Sequence, residues 1–570
     1  MVNVTRRRAL AFAGGALGLG ACNGATGGPS PVVGSIEAPA TYDGDVAFEH
    51  GVASGDPLPD SVVLWTRATP RSGDGSIELV YSVFEGETLV ATGKARTSAA
   101  RDYTVKIVAE GLSPRTEYVY EFAVKTTGGM VTSPRGRTKT ASAPGDTAPV
   151  KFAFVSCSNF PFGFFNVYRE ISKQEGLDAI IHLGDYIYEY GMDGYGGAVG
   201  EQLGRRHEPQ TEIVTLADYR ARHAQYKSDP DLQAAHASAP WLCTWDDHES
   251  TNNSYRTGAE NHNPDANEGE WTTRKQVAVQ AYLEWMPVRD PQPGRAKEAI
   301  YRRFDFGSVA SVFCLESRLT GRSDEISWVT EIGDLEPAAV PLKAMSTMVR
   351  VQSDERTLLG AEQEAWLADG LADSVAKGTP WQVLANQVVM ARIVPPNFTR
   401  KLTLDQIASI ENPLAQALVG FSQLGLPFNL DAWDGFPAAR ARLYDAAKAA
   451  GARLVTLTGD THTAWANTLV DVDGAQRGVE FGCTSVTSPG LGTYFKGVDD
   501  LGAMFVDQNP EVEHYDPNGN GFTLVTLTAD GVRADYVKVS TIIDTDYTAQ
   551  TSARYATRRA GAGMTPLERV

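Results

Sequence analysis

Cysteine is scarce in this chain. Five occur in 570 residues, Cys22, Cys157, Cys243, Cys314 and Cys483, and no two form a CxxC pair. A disulfide scaffold and a zinc knuckle are therefore excluded as the organising device. Cys243, Cys314 and Cys483 lie in apolar runs (WLCTW, SVFCLES, VEFGCTS) and read as buried packing. Positive charge is also in deficit: 51 Lys and Arg stand against 70 Asp and Glu, a formal net charge of -19. A general nucleic-acid or anionic-membrane binder needs a basic face, so no nucleic-acid binding is expected. An anionic substrate would require metal ions or local arginines to reverse the field at the site. Internal repeats are missing. So is any run of about 20 apolar residues, which excludes a permanent membrane span. The length allows two or more domains and a large core.

The N-terminus reads VTRRRALAFAGGALGLGACNG. Arg6, Arg7 and Arg8 precede a short, weakly apolar run from Ala9 to Ala21. This pattern fits a bacterial export signal, and the arginine cluster points to the twin-arginine export machinery. Leu19-Gly20-Ala21-Cys22 resembles a lipoprotein signal, in which Cys22 would carry a lipid anchor. The small, Gly/Pro-rich residues after it would serve as a tether. Residues 1–31 are read as signal and tether, and the mature protein as periplasmic or cell-envelope.

Residues 45–140 read as all-β, with short strands such as SVVLWTRAT, SIELVYSVFE and TEYVYEFAV between turn residues. A small sandwich is expected, and GLSPRTEYVYEF resembles the late strands of a fibronectin type III module. ASAPGDTAP is a linker by composition. Residues 150–540 alternate strand-like and helix-like segments, the mark of an α/β domain. Helical patterns include LADYRARHAQYKS, TRKQVAVQAYLEWM, GAEQEAWLADGLADSVA and FPAARARLYDAAKAA. Stretches 323–354 and 395–430 read as long insertions or lids. Residues 541–570 read as a C-terminal tail.

Four apolar runs each end at residues able to bind a metal: KFAFVSC at Cys157, DAIIHLGDYIYEYG at Asp185 and Tyr188, WLCTWDDHE at Asp247 and His248, and ARLVTLTGDTHTAW at Asp460 and His462. Carboxyl ends of strands form the ligand crevice of an α/β sheet. These four ends predict a multinuclear metal site. Asp185 is the best candidate to bridge two cations, since a carboxylate has an oxygen for each. Thiolate from Cys157 and phenolate from Tyr188, with a carboxylate and a histidine, favour ferric iron over calcium or magnesium. Asp460 and His462 are two apart, so one short segment can serve two neighbouring metals. His462 is the likelier partner of the iron, and Asp460 of the second metal. A loop leaving the WDDHE strand can aim Asp247 at a metal and His248 at substrate, as general acid or oxygen donor.

Five segments together resemble the PhoD-like alkaline phosphatase family of calcineurin-like metallophosphoesterases: FVSCSN, IIHLGDYIYEYG, WDDHESTNN, DAWDGFPAAR and VTLTGDTHTAW. The resemblance implies a core of layered β-sheets flanked by helices, preceded by a small sandwich. It implies one Fe3+ and two Ca2+, with phosphomonoesterase and phosphodiesterase activity. Cys157, Asp185, Tyr188 and His462 match iron ligands, with Asp185 bridging. Asp460, Asp247 and Asn252 match calcium ligands, and Asn253 could serve in place of Asn252. Ser156-Cys157 stands where related two-metal enzymes carry Asp-x-His, and Asp247-His248 where they carry Asn-His. Both departures agree with the PhoD-like branch. In LESRLTGR, Glu316 replaces the usual aspartate, Arg318 is kept as a candidate for binding phosphate, and Arg322 stands near the second arginine.

The sequence thus predicts an exported hydrolase acting on small phosphate esters by attack of a metal-activated water or oxide on phosphorus. Two alternatives stand beside it. One is a hydrolase using Cys157 as covalent nucleophile, which leaves the carboxylates unexplained. The other is a non-catalytic, calcium-stabilised surface protein.

Overall fold

The computed structural model describes residues 38–570, apart from 334 and 337. The predicted export signal, the tether and Cys22 lie outside the described residues. Two sheets stack face to face at the centre. The first holds three parallel strands, β1 (Val150–Val155), β2 (Ala179–His182) and β3 (Trp241–Cys243). The second holds β4 (Ala310–Cys314), β5 (Trp381–Ala385) and β6 (Leu454–Thr458), also parallel.

Period-two side-chain alternation assigns each strand to two cores. Phe152 and Phe154 of β1, Ile181 of β2 and Leu242 of β3 meet Val312, Val383, Val455 and Leu457 between the sheets. The intervening Ala153, Val155, Ile180 and Trp241 face outward, onto the helices Leu216–Lys227 and Trp271–Trp285. On the opposite side Phe313, Leu384 and Leu454 pack against Ala361–Ala376, Pro437–Ala450 and Leu501–Gln508. The layers run helix, sheet, sheet, helix. Burial on both faces explains why these strands read as nearly unbroken apolar runs.

The N-terminal region differs from expectation. Its two sheets are present and share a core of Val62, Leu64, Leu79, Tyr120 and Phe122. One of them, Val52–Leu58, Ser61–Arg67 and Thr104–Glu110, is the outer end of the first central sheet, joined by Trp241 pairing with Gly55. Glycine is required at the junction. A Cβ on Gly55 would sit 2.1 Å from the Pro287 carbonyl oxygen and 2.7 Å from that of Trp241. The sandwich is therefore continuous with the core sheet.

The predicted C-terminal tail is corrected as well. Ala549–Ala560 pairs along Gly531–Val539, which pairs with Asn520–Leu527, which pairs with β1. Ala553, Tyr555 and Thr557 are buried at alternate positions. Arg554 between them, with Arg558 and Arg559 beyond, hid this period-two pattern in the sequence. Both predicted insertions contain helices, among them Val340–Val351 and Pro413–Phe421. Among the described residues, no helix is long and apolar enough to cross a membrane.

Candidate metal centre

The carboxyl ends of β1, β2, β3 and β6 open at one edge of the sheet pair, and those of β1, β2 and β6 turn away through strained backbone. Cys157, Asp185, Asp460 and His462 all have φ between 55° and 60°. Non-glycine residues rarely occupy this left-handed region, and each such residue costs on the order of 1–3 kcal/mol. Surrounding structure holds the strain. The Cys157 N–H donates to the Gly184 carbonyl, and the Ser158 N–H to the Asp185 carbonyl. The left-handed Gly184 (φ 106°) allows the β2 exit to approach the WDDHE loop, since a Cβ there would lie 2.3 Å from the Asp246 nitrogen.

These turns bring the predicted ligands together. One donor atom each from Cys157, Asp185 and His462 lies within 4.8 Å of the others, and the same holds for Asp185, Asp247 and His248. Asp185 is common to both groups. The Tyr188 hydroxyl is 3.1 Å from Asp185 Oδ2 and 3.4 Å from His462 Nε2. His462 Nδ1 lies 3.1 Å from the Pro489 carbonyl, which can only accept. That contact assigns the Nδ1–H tautomer and leaves Nε2 facing the cluster.

Electrostatics show what the arrangement needs. Burial, reinforced by Asp247 and Asp246, raises the Asp185 carboxyl far above its usual range. Burial, with Asp246 and Asp431, does the same to Asp460. The Cys157 thiol and Tyr188 phenol are pushed up by burial and by Asp185. Burial would raise Asp247 too, but His248 and Arg318 outweigh it and hold its carboxyl low. Asp185 Oδ1 is buried with no hydrogen-bond partner among the described residues. Sulfur, phenol, imidazole and clustered carboxylates thus converge where the protein supplies too little positive charge. That donor set fits bound cations, which would let these groups ionise.

His248 sits at the edge of the cluster. Its Nδ1 donates to Glu189 at 2.7 Å, and its ring stacks on Tyr188 with centroids 4.2 Å apart. Burial alone would lower its pKa, but Asp247, Glu189 and Asp185 together raise it well above the ordinary histidine value.

Two predicted residues are placed differently. Arg318 has no exposed surface. Its Nε donates to Asp246, its Nη1 to Asp431 at 2.8 Å, and its Nη2 stands 3.9 Å from both Asp247 and Asp460. Carboxylates occupy the fork, which makes Arg318 a counter-charge within the acid cluster. Asn252 directs its amide nitrogen to Glu260, and Asn253 directs its own to Glu260 and Glu325. Neither side chain enters the central groups. Asn253 is tied in through its backbone N–H, which donates to Asp247 Oδ2 at 2.7 Å.

The sequence reading missed several supporting groups. Glu249 accepts the backbone N–H groups of Asp185, Tyr186 and Asp246, binding two strand-end loops together. Asp431, within the DAWDGF segment, anchors Arg318 and Arg322. Glu316, the departure in LESRLTGR, accepts from Trp245 Nε1 and from the backbone of Arg318, Leu319 and Thr320. Adjacency to a predicted ligand was the only signal for Glu189 and Glu249.

Comparison with known proteins identifies relatives over most of the chain. The family model described as PhoD-like phosphatase matches residues 152–536, and that described as PhoD-like phosphatase, N-terminal domain, matches residues 34–142. Alkaline phosphatase D of Bacillus subtilis (strain 168) is 34% identical over 535 residues, covering 91% of this chain and 82% of that protein. The solved structure of PhoD aligns with a TM-score of 0.73 at 32% identity, over 94% of this chain and 93% of that one.

Proposed function

The chain belongs to the PhoD-like phosphatase family, and on that premise we propose that it hydrolyses phosphomonoesters, phosphodiesters or both at a centre of one ferric iron and two calcium ions. The observation that carries this reading is the position of Asp185, within ligating reach of Cys157 and His462 and also of Asp247. A carboxylate between two cations is what a two-metal phosphoryl-transfer site requires. Donor chemistry distributes the cations. Cys157, Tyr188 and His462 with Asp185 suit iron, whereas the carboxylates Asp247 and Asp460 suit calcium. Bound there, the cations supply Lewis acidity, neutralise the charge developing on phosphoryl oxygens and lower the pKa of water.

The chain's own residues orient and protonate. His248, held by Glu189 and Tyr188, presents Nε2 to the leaving or non-bridging oxygen of the ester. Arg318 ties Asp246 to Asp431 and so keeps the loops after β3 and near residue 431 together. Cys157 is poorly suited to act as a nucleophile, because it is enclosed and held protonated by burial and Asp185.

Export by the twin-arginine route, with Cys22 as a lipid anchor, belongs to the same proposal and rests on Arg6–Arg8 and the LGAC segment. Mass spectrometry of the mature N-terminus tests it: a lipidated Cys22 is expected, and an unmodified start downstream of Cys22 removes the anchor. For the chemistry, elemental analysis joined to a substrate panel is the test. Iron and calcium in the active protein are expected, and a fully active zinc-only protein would reject the cation assignment. His248→Ala should keep the metals and lose roughly 10²- to 10⁴-fold in turnover, the usual worth of one positioned acid or donor. Full activity in that variant removes His248 from the mechanism.

A further inference from the structure

We propose that Glu189 is a positioning residue: it holds the His248 imidazole in the one tautomer and orientation that presents Nε2 to the phosphoester. The inference rests on the role proposed above for His248. Glu189 has no exposed surface, yet both of its oxygens are used. Oε2 accepts from His248 Nδ1 at 2.7 Å. Oε1 accepts from the Asn252 N–H at 2.8 Å and from Asn261 Nδ2 at 3.0 Å, with Thr251 Oγ1, which also reaches the Asn261 carbonyl at 2.6 Å, 3.1 Å away. Three nitrogen donors converge on this carboxylate, so it is an acceptor only, and the proton of the short contact sits on His248 Nδ1. With Nδ1–H committed to Glu189, any proton exchanged with a substrate passes through Nε2.

The second constraint is on the ring plane. Tyr188 stacks on the imidazole at 4.2 Å and 28°. A ring held at one nitrogen and covered on one face cannot flip without breaking both contacts. Glu189 directly follows Tyr188, so a single turn of chain supplies a predicted iron ligand and the orienter of the proposed acid. Carboxylates that orient metal-ligating histidines are typically worth about 10- to 100-fold, and a loss of the same order is expected for an oriented acid.

Truncation to alanine would also release residues 251–261, so the informative change is Glu189→Gln. It keeps the size of the side chain and removes the charge that fixes the tautomer. We expect Glu189→Gln to slow turnover of an alkyl phosphate roughly 10- to 100-fold, with KM and metal content unchanged. In a His248→Ala background the same substitution should cost nothing further, because the interaction it removes is already gone. Equal losses in both backgrounds, no loss in either, or a fall in metal content would overturn the proposal and leave Glu189 a purely structural tie. A silent His248→Ala single variant would sink the underlying role of His248, a failure read in a different protein. Should Glu189→Gln misfold by circular dichroism, Glu189→Asp serves. It keeps the charge but withdraws it from Nδ1, and the same His248-dependent loss is expected.

Discussion

At the scale of single residues, chemistry was legible wherever a donor stood at the end of an apolar run. Cys157, Asp185, Tyr188 and His462 were singled out that way, and the structure gathers them within hydrogen-bonding and ligating reach. The pairing of Arg318 with Asp431 was not legible, because the two lie more than a hundred residues apart and no local spacing announces such a pair. Two substitutions separate the roles. Asp185→Asn removes a charge and half of the shared ligand, so metal content and activity should fall together, as read by elemental analysis beside an ester assay. Tyr188→Phe should shift or remove part of a visible charge-transfer band while iron stays bound through the remaining donors. A colourless parent protein with full activity would defeat the iron assignment.

At the scale of elements, the helices and buried strands of the core followed from their periodicities, and the four site loops from their abrupt change to polar residues. Two features escaped. The long C-terminal strand, Ala549–Ala560, alternates correctly but is rich in arginine and exposed on its outer face. The N-terminal sandwich was recognisable as strands, while its fusion to β3 depends on one backbone pairing at Gly55 that composition cannot reveal. Local strain at the site makes its own prediction. Gly184→Ala would place a methyl 2.3 Å from the Asp246 backbone nitrogen in a left-handed conformation. About 1–3 kcal/mol of destabilisation is expected from the backbone alone, with weakened metal retention as the loops separate. Thermal unfolding with and without added metal measures both. An unchanged midpoint would mean the loops can move apart without cost.

At the scale of the whole molecule, a chain of formal charge -19 gathers further acids into its one predicted site. Without cations this arrangement opposes itself, and the opposition depends on pH. Burial, partly offset by Arg318, raises the Asp246 carboxyl to about 6, and burial raises Glu249 to about 7. Each of these groups holds a proton in the folded protein that it releases in the unfolded chain over the interval above its ordinary pKa. The folded state therefore binds more protons there, and stability falls as pH rises. Metal-free protein should lose unfolding temperature between pH 4 and pH 7, whereas metal-loaded protein should lose less or gain, because cations favour the ionised carboxylates. Parallel curves for the two forms would indicate that the cations do not bind beside these groups.

The central claim is that hydrolysis of phosphate esters depends on cations held by the strand-end cluster around Asp185. It is tested most directly by stripping the purified protein with a chelator, assaying an aryl phosphate, and then restoring iron and calcium separately and together. The account predicts that activity falls to background on stripping and returns fully only with both, and that Asp185→Asn does not recover under any addition. Undiminished turnover by a protein proven free of metal would contradict it.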